Sequence, residues 1–202
     1  AGIPVVVQVA NAVNKTKVMR SVMESVAGVD KNAWLPSLAA KKFRSGTPKA
    51  RATEVKNGEK TPGKVAIFAT CFINYNEPGI GLDLLKILDH NEVPYVIVDK
   101  ENCCGMPKIE LADLEAVNAS KEANIPVLAR YAKEGYAILA AVPSCALMFK
   151  QEIPLMYPLE ADVQLVKEAM WDPFEYLMQR KRDGLLKADF PVPLGKVSYQ
   201  IP

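Results

Sequence analysis

The chain reads as an α/β protein: a parallel sheet with helices on both faces, flavodoxin-like or Rossmann-like in character, preceded by a basic helical arm. Three observations predict this. Short, continuously apolar, β-rich runs recur at 64–70, 95–99 and 136–142. Between them lie segments whose apolar residues fall at helical spacing. A strand that is apolar throughout has to be covered on both faces, and helices that alternate with such strands do this in a parallel sheet.

The elements follow in order. Residues 1–43 are a candidate helical connector arm, in which Val18, Val22, Met23, Val26 and Val29 predict a helix over 14–27, ended near Gly28. A short second helix is expected over 36–43. The arm has too little apolar surface for a core of its own and should dock on something. Residues 44–63 are rich in Gly, Pro, Thr and Lys, with Val55 as the one large apolar residue, which predicts a linker. Residues 64–202 carry the signals of an α/β domain. The first strand, KVAIFAT (64–70), precedes a helix over 77–91 with Pro78 at its start and a stripe of Ile80, Leu84, Leu85, Ile87 and Leu88. YVIVD (95–99) is the second strand. Residues 111–135 are a long helix, bent at Pro126 and capped by Gly135. YAILAAV (136–142) is the third strand, followed by helices over 145–154, 160–170 and 172–184. KVSYQI (196–201) is expected as a fourth strand. The chain opens on Ala1 and closes as that strand begins, so it reads as a fragment, with the α/β domain incomplete at its C-terminus.

Charge is uneven along the chain. Residues 1–60 hold 11 Lys or Arg against 4 Asp or Glu, a net +7, and the remainder carries −5. Lys41, Lys42 and Arg44 belong to this basic stretch. It suits an acidic partner or an anionic membrane surface, or it is simply a solvated segment. Aromatic residues are not interleaved with the basic ones, so no nucleic-acid partner is expected. No run reaches the roughly 20 apolar residues of a membrane span. The opening residues place their apolar run before their charges, so no secretory signal is expected and a cytoplasmic location is.

The four cysteines carry the chemistry. Cys71 follows the first strand, Cys103 and Cys104 follow the second, and Cys145 follows the third. The carboxyl ends of parallel strands open on one edge of the sheet, where ligands bind, so the four thiols are expected together. Three readings compete. A single buried cysteine is usually a small hydrophobe, which is a poor account of four at strand ends. Disulfides need an oxidising compartment and a geometry that adjacent cysteines rarely meet. A metal or iron–sulfur site needs several converging sulfurs, which this layout supplies. A fourth use, a reactive thiol at Cys103 or Cys104, would need exposure and a depressed pKa. Other chemistry is sparse. His90 is the one histidine and sits at a helix end, where a surface or capping role is expected. The GIG at 79–81 does not complete a dinucleotide fingerprint. Met148, Met156, Met170 and Met178 are expected in the core.

The segments VAIFATCFINYNEPGIG, NCCGMP and VPSCALMFKQEIP resemble the cysteine-rich CCG domain, from about Lys64 to the end of the chain. This family includes heterodisulfide reductase B subunits and anaerobic glycerol-3-phosphate dehydrogenase C subunits, and its members usually carry the motif twice. The resemblance implies that Cys71, Cys103, Cys104 and Cys145 match the first four ligand positions of an iron–sulfur site, in the best-described copies a non-cubane 4Fe–4S cluster with five cysteines. Gly105 matches the motif glycine. Met148 stands where the fifth cysteine would, and a thioether is a weak ligand, so it is expected to pack. That leaves a four-sulfur set, which suits either an iron–sulfur cluster of another kind or, as the alternative, zinc. The resemblance further implies an electron-transfer module of a multi-subunit oxidoreductase, working between a flavoprotein and a quinone or disulfide acceptor at the cytoplasmic face of a membrane. The rival expectation is a zinc-binding or metal-free scaffold beside a second, redox-active copy.

Overall fold

The computed structural model describes residues 4–189, 191–192 and 195–198. Helices α1 (Pro4–Val13) and α2 (Lys17–Ala27) come first, then the single turn α3 (Phe43–Gly46). Strand β1 (Val65–Phe68) leads into α4 (Cys71–Tyr75) and α5 (Pro78–His90). Strand β2 (Tyr95–Ile97) is followed by α6 (Met106–Ile109) and α7 (Leu114–Lys133). Strand β3 (Ala137–Ala140) gives way to α8 (Pro143–Leu147), a π-helical turn (Met148–Glu152) and α9 (Ile153–Met156). Helix α10 (Ala161–Ala169), strand β4 (Met170–Trp171) and helix α11 (Pro173–Arg182) complete the series.

All strand pairs are parallel, in the order β2-β1-β3-β4. That is the flavodoxin-like order, whose chain reversal lies between β1 and β3. Side chains alternate across the sheet as a pleat requires. Ala66, Phe68, Ile138, Ala140 and Met170 face a core made with α7, α10 and the segment from α8 to α9. Val65, Ile67, Ala69, Ala137 and Leu139 face the other core, made with α4, α5, α11 and Phe43. Both faces are therefore dry, which is why strands of two to four residues suffice.

Helix ends follow local chemistry. Thr16 caps α2 and Gly28, at φ 66°, closes it. Asp113 caps α7, so the helix starts at Leu114, three residues later than its apolar pattern predicts. Asp172 and Glu175 form a reciprocal capping box on α11, with Pro173 in its first turn. Pro154 lacks the N–H that an α-helical ladder would use, and the π-helical turn just before it absorbs the mismatch.

Several elements differ from expectation. Residues 4–13 are helical, although their valines read as an apolar run without period. The short helix expected over 36–43 is α3 instead, because only Phe43 finds a core to enter. The fourth strand of the sheet is Met170–Trp171, a length too short to register as a pattern. Residues 196–198 are not a strand, and the rest of the 196–201 segment lies outside the described residues. Met148 and Met170 are core residues, whereas Met178 is exposed.

The segment 44–63 is pinned although it has almost no apolar side chains. Tyr176 Oη donates to the Pro62 carbonyl at 2.7 Å, Arg180 Nη1 to the Lys56 carbonyl at 2.6 Å, and Thr61 Oγ1 to Asp183 Oδ2 at 2.7 Å. Polar anchors on α11 replace the missing hydrophobic ones. At the other end, Phe43 is buried against Gly81 of α5, whose lack of a Cβ admits the ring.

Candidate metal centre

Each cysteine sits at a strand-to-helix turn. β1 ends at Phe68, and Cys71 opens α4 after the Thr70 cap. β2 ends at Ile97, and Cys103 and Cys104 lie in the loop before Gly105, which at φ +97° turns the chain into α6. β3 ends at Ala140, and Cys145 lies within α8. Three turns from β1, β2 and β3 thus meet at the carboxyl edge beside the chain reversal, the place where flavodoxin-like sheets hold their ligands.

The thiols are neighbours along a row: Cys71 beside Cys103, Cys103 beside Cys104, Cys104 beside Cys145. Cys71 and Cys103 are exposed, whereas Cys104 and Cys145 are buried. Within the buried pair, the Cys145 thiol donates to Cys104 and holds it down to about 7, the side chain best able to be a thiolate. The same bond and burial push Cys145 far up. Cys71 is open to solvent on one side yet hemmed in on the other, so desolvation and then the neighbouring cysteines raise it. Among the described residues, no group of three or more His, Cys, Asp or Glu side chains converges closely enough to grip one ion. The sulfurs form a linked row, not a closed cage.

The exposed pair opens on a cleft of about 380 Å³ lined by Arg44, Thr70, Cys71, Lys100, Glu101 and Cys103 among others. The Glu101 side chain is only 8% exposed, and desolvation raises its carboxyl while Arg44 and the Ala69 N–H oppose the shift. Asn124 of α7, itself buried, accepts from the Asn102 N–H at 2.9 Å and donates to the Cys103 carbonyl at 3.0 Å. Met148 is fully buried in the core shared with Cys104 and Cys145, so its thioether packs. His90 is remote: it ends α5 and its Nε2 lies 3.1 Å from Asp189 Oδ1.

Residues 65–150 match the family model described as the cysteine-rich CCG domain. The chain is 24% identical over 195 residues to the C subunit of the anaerobic glycerol-3-phosphate dehydrogenase of Escherichia coli, covering 96% of this chain and 48% of that protein. It is 25% identical over 163 residues to the B subunit of the fumarate reductase (CoM/CoB) of Methanothermobacter marburgensis, covering 80% of this chain and 32% of that protein. The chain thus spans about half, or less, of the curated relatives it matches. No solved structure matches it.

The expectation that the four thiols gather at one edge holds, and Met148 is packed as expected. It missed Arg44, Glu101, Thr70 and Asn124. Arg44 reads as one of several basic residues in a solvated stretch, but it is partly buried at the cleft. Asn124 did leave a signal, because it lies on the α7 face with Val117, Lys121, Ile125 and Leu128, all buried.

Proposed function

We propose that this chain is an electron-transfer module of a multi-subunit oxidoreductase, holding an iron–sulfur cluster through Cys71, Cys103, Cys104 and Cys145. One observation carries the reading: four thiols from three separate turns meet at the ligand-binding edge of a CCG domain. The names of the relatives, one from a dehydrogenase and one from a fumarate reductase, support the oxidoreductase class.

The donor set fits such a group. Sulfur is the ligand iron–sulfur clusters take. When bound, the cluster supplies one-electron transfer at a potential set by burial and by hydrogen bonds to its sulfurs. The chain's own residues do the rest. Cys104 and Cys145 anchor the inner side in the dry core, while Cys71 and Cys103 face the cleft, the side from which an electron partner can approach. Gly105, at φ +97°, makes the turn from the paired cysteines into α6 in a conformation that other residues rarely adopt.

The finer assignment is to a relay between a flavin-containing partner and a quinone or disulfide acceptor, with peripheral attachment at the cytoplasmic face of a membrane. The basic first 60 residues support docking on an acidic partner or anionic surface, as do the exposed Val18, Val22 and Val26 along α2. Among the described residues no helix is long and apolar enough to cross a membrane. A second reading is favoured by Met148, which fills the fifth ligand position with a buried thioether. In it the site holds zinc, or no metal, and the domain is a scaffold.

Iron, zinc and acid-labile sulfide measured together on anaerobically prepared chain decide between them. Iron and sulfide in comparable amounts, lost in Cys104→Ser, are expected. Zinc without sulfide, or no metal, would move the redox chemistry elsewhere and leave the scaffold reading.

A further inference from the structure

The turn that presents Cys71 is strained. Thr70 is buried and adopts φ 52°, ψ 155°, a region that β-branched residues avoid. Such a conformation persists only where its surroundings over-determine it. Thr70 Oγ1 accepts from the Ile73 N–H at 3.2 Å. The Ala69 N–H, one residue before the strain, donates to Glu101 Oε2 at 2.7 Å. The other oxygen of Glu101 lies 2.9 Å from Arg44 Nη2, and the same guanidinium donates to the Val98 carbonyl just past β2. Arg44 also donates its backbone N–H to Asn74 Oδ1 at 3.2 Å, on the helix that Cys71 opens.

One carboxylate therefore joins the Cys71 turn to the loop that carries Cys103, two residues downstream. One arginine, from a segment that composition reads as linker, closes the joint from outside. Its planar fork serves a carboxylate and a carbonyl at once, which a lysine ammonium does poorly. A buried carboxylate is a costly device, retained here where it specifies a spacing.

We propose that Arg44 and Glu101 are positioning residues that lock the strained Thr70 turn onto the paired-cysteine loop and so set the spacing of Cys71 from Cys103 for a bound metal group. This rests on the reading of the cysteines as ligands, and the test separates the two.

Cobalt(II) is titrated anaerobically into metal-free, reduced chain. The thiolate-to-cobalt charge-transfer band reports sulfur ligation, and competition with a chelator gives affinity. Glu101→Ala is expected to weaken cobalt binding about 10- to 100-fold, the range for groups that orient metal ligands. Arg44→Lys shifts affinity the same way. Glu101→Gln keeps an acceptor for the Ala69 N–H and loses less. The decisive variant combines Thr70→Gly with Glu101→Ala: glycine adopts this backbone freely, so affinity returns to within about threefold of the parent. Unchanged affinity in Glu101→Ala, with the parent's circular dichroism, overturns the proposal, as does failure of Thr70→Gly to rescue. Should Glu101→Ala not fold, Glu101→Gln and Arg44→Lys carry the test, and loss in neither or in only one overturns it. Iron and sulfide loading is followed alongside. A chain that responds to these variants with cobalt but assembles no iron–sulfur cluster sinks the electron-transfer reading and leaves the lock standing. A parent without thiolate–cobalt bands sinks both.

Discussion

Phe43 brings the basic stretch to the domain, and Gly81 is what lets it in, so Gly81→Ala is the sharpest probe of that joint. Gly81 lies inside α5, where alanine in place of glycine normally stabilises a helix by about 1 kcal/mol. Here an added Cβ would stand 2.6 Å from Phe43 Cε2 and 2.8 Å from both Phe43 Cδ2 and Ile73 Cγ2. Both neighbours are about 1% exposed and have little room to retreat. Overpacking of this kind costs about 1–3 kcal/mol, which outweighs the propensity gain. Gly81→Ala should therefore destabilise the protein by about 1–2 kcal/mol. In a Phe43→Ala background, itself less stable by about 3–5 kcal/mol, the obstruction is gone and Ile73 can relax into the space. The same Gly81→Ala change should then become stabilising by up to about 1 kcal/mol. Urea unfolding of the four proteins in anaerobic reducing buffer measures the cycle. A Gly81→Ala that is neutral or stabilising with Phe43 present would refute the seating of Phe43 on α5, and with it the route that brings Arg44 to the cleft.

Three further outcomes are expected. Asn124→Ala strips partners from the Asn102 N–H and the Cys103 carbonyl, and should lower stability by about 1–3 kcal/mol while speeding hydrogen exchange at residues 102–104. Gly105→Ala forces a side chain to φ +97°, at about 1–2 kcal/mol. Because that strain is in the backbone, Ser120→Gly, which removes the nearest obstacle at 3.3 Å, should not rescue the loss in thermal unfolding. Burial pushes Tyr176 up to about 12, so the folded state keeps its proton while the unfolded chain loses it near 10. The associated stability is complete below about pH 10 and falls as pH rises from 10 to 12, and Tyr176→Phe should flatten part of that fall in denaturant unfolding. A residual slope should remain, since burial and the Asp89 carboxylate also raise Tyr95 to about 12.

The legible parts of the fold were those whose signal is repeated. β1, β2 and β3 announce themselves as apolar runs, and α5 as a stripe. β4 is two residues long, which is below any period, and it pairs with Ile138 and Leu139 only because α10 delivers it there. The π-helical turn after Cys145 likewise has no periodic signature, although Pro154 explains it afterwards. At the site, the cysteines are legible because thiols just past three strand ends are rare by chance and topologically forced together. Arg44 and Glu101 are ordinary charged residues in charged surroundings, and they stand 57 residues apart in the chain.

By itself, then, the sequence determined the α/β class, the parallel sheet and the gathering of Cys71, Cys103, Cys104 and Cys145 at one edge, since alternation of apolar strands with helices admits few other arrangements. Only the tertiary structure decided the strand order, the division of the thiols into a buried and an exposed pair, and the entry of Phe43 and Arg44 into the domain. Those depend on which surfaces meet across long stretches of chain, where a missing Cβ at Gly81 or one buried carboxylate outweighs anything local composition can signal.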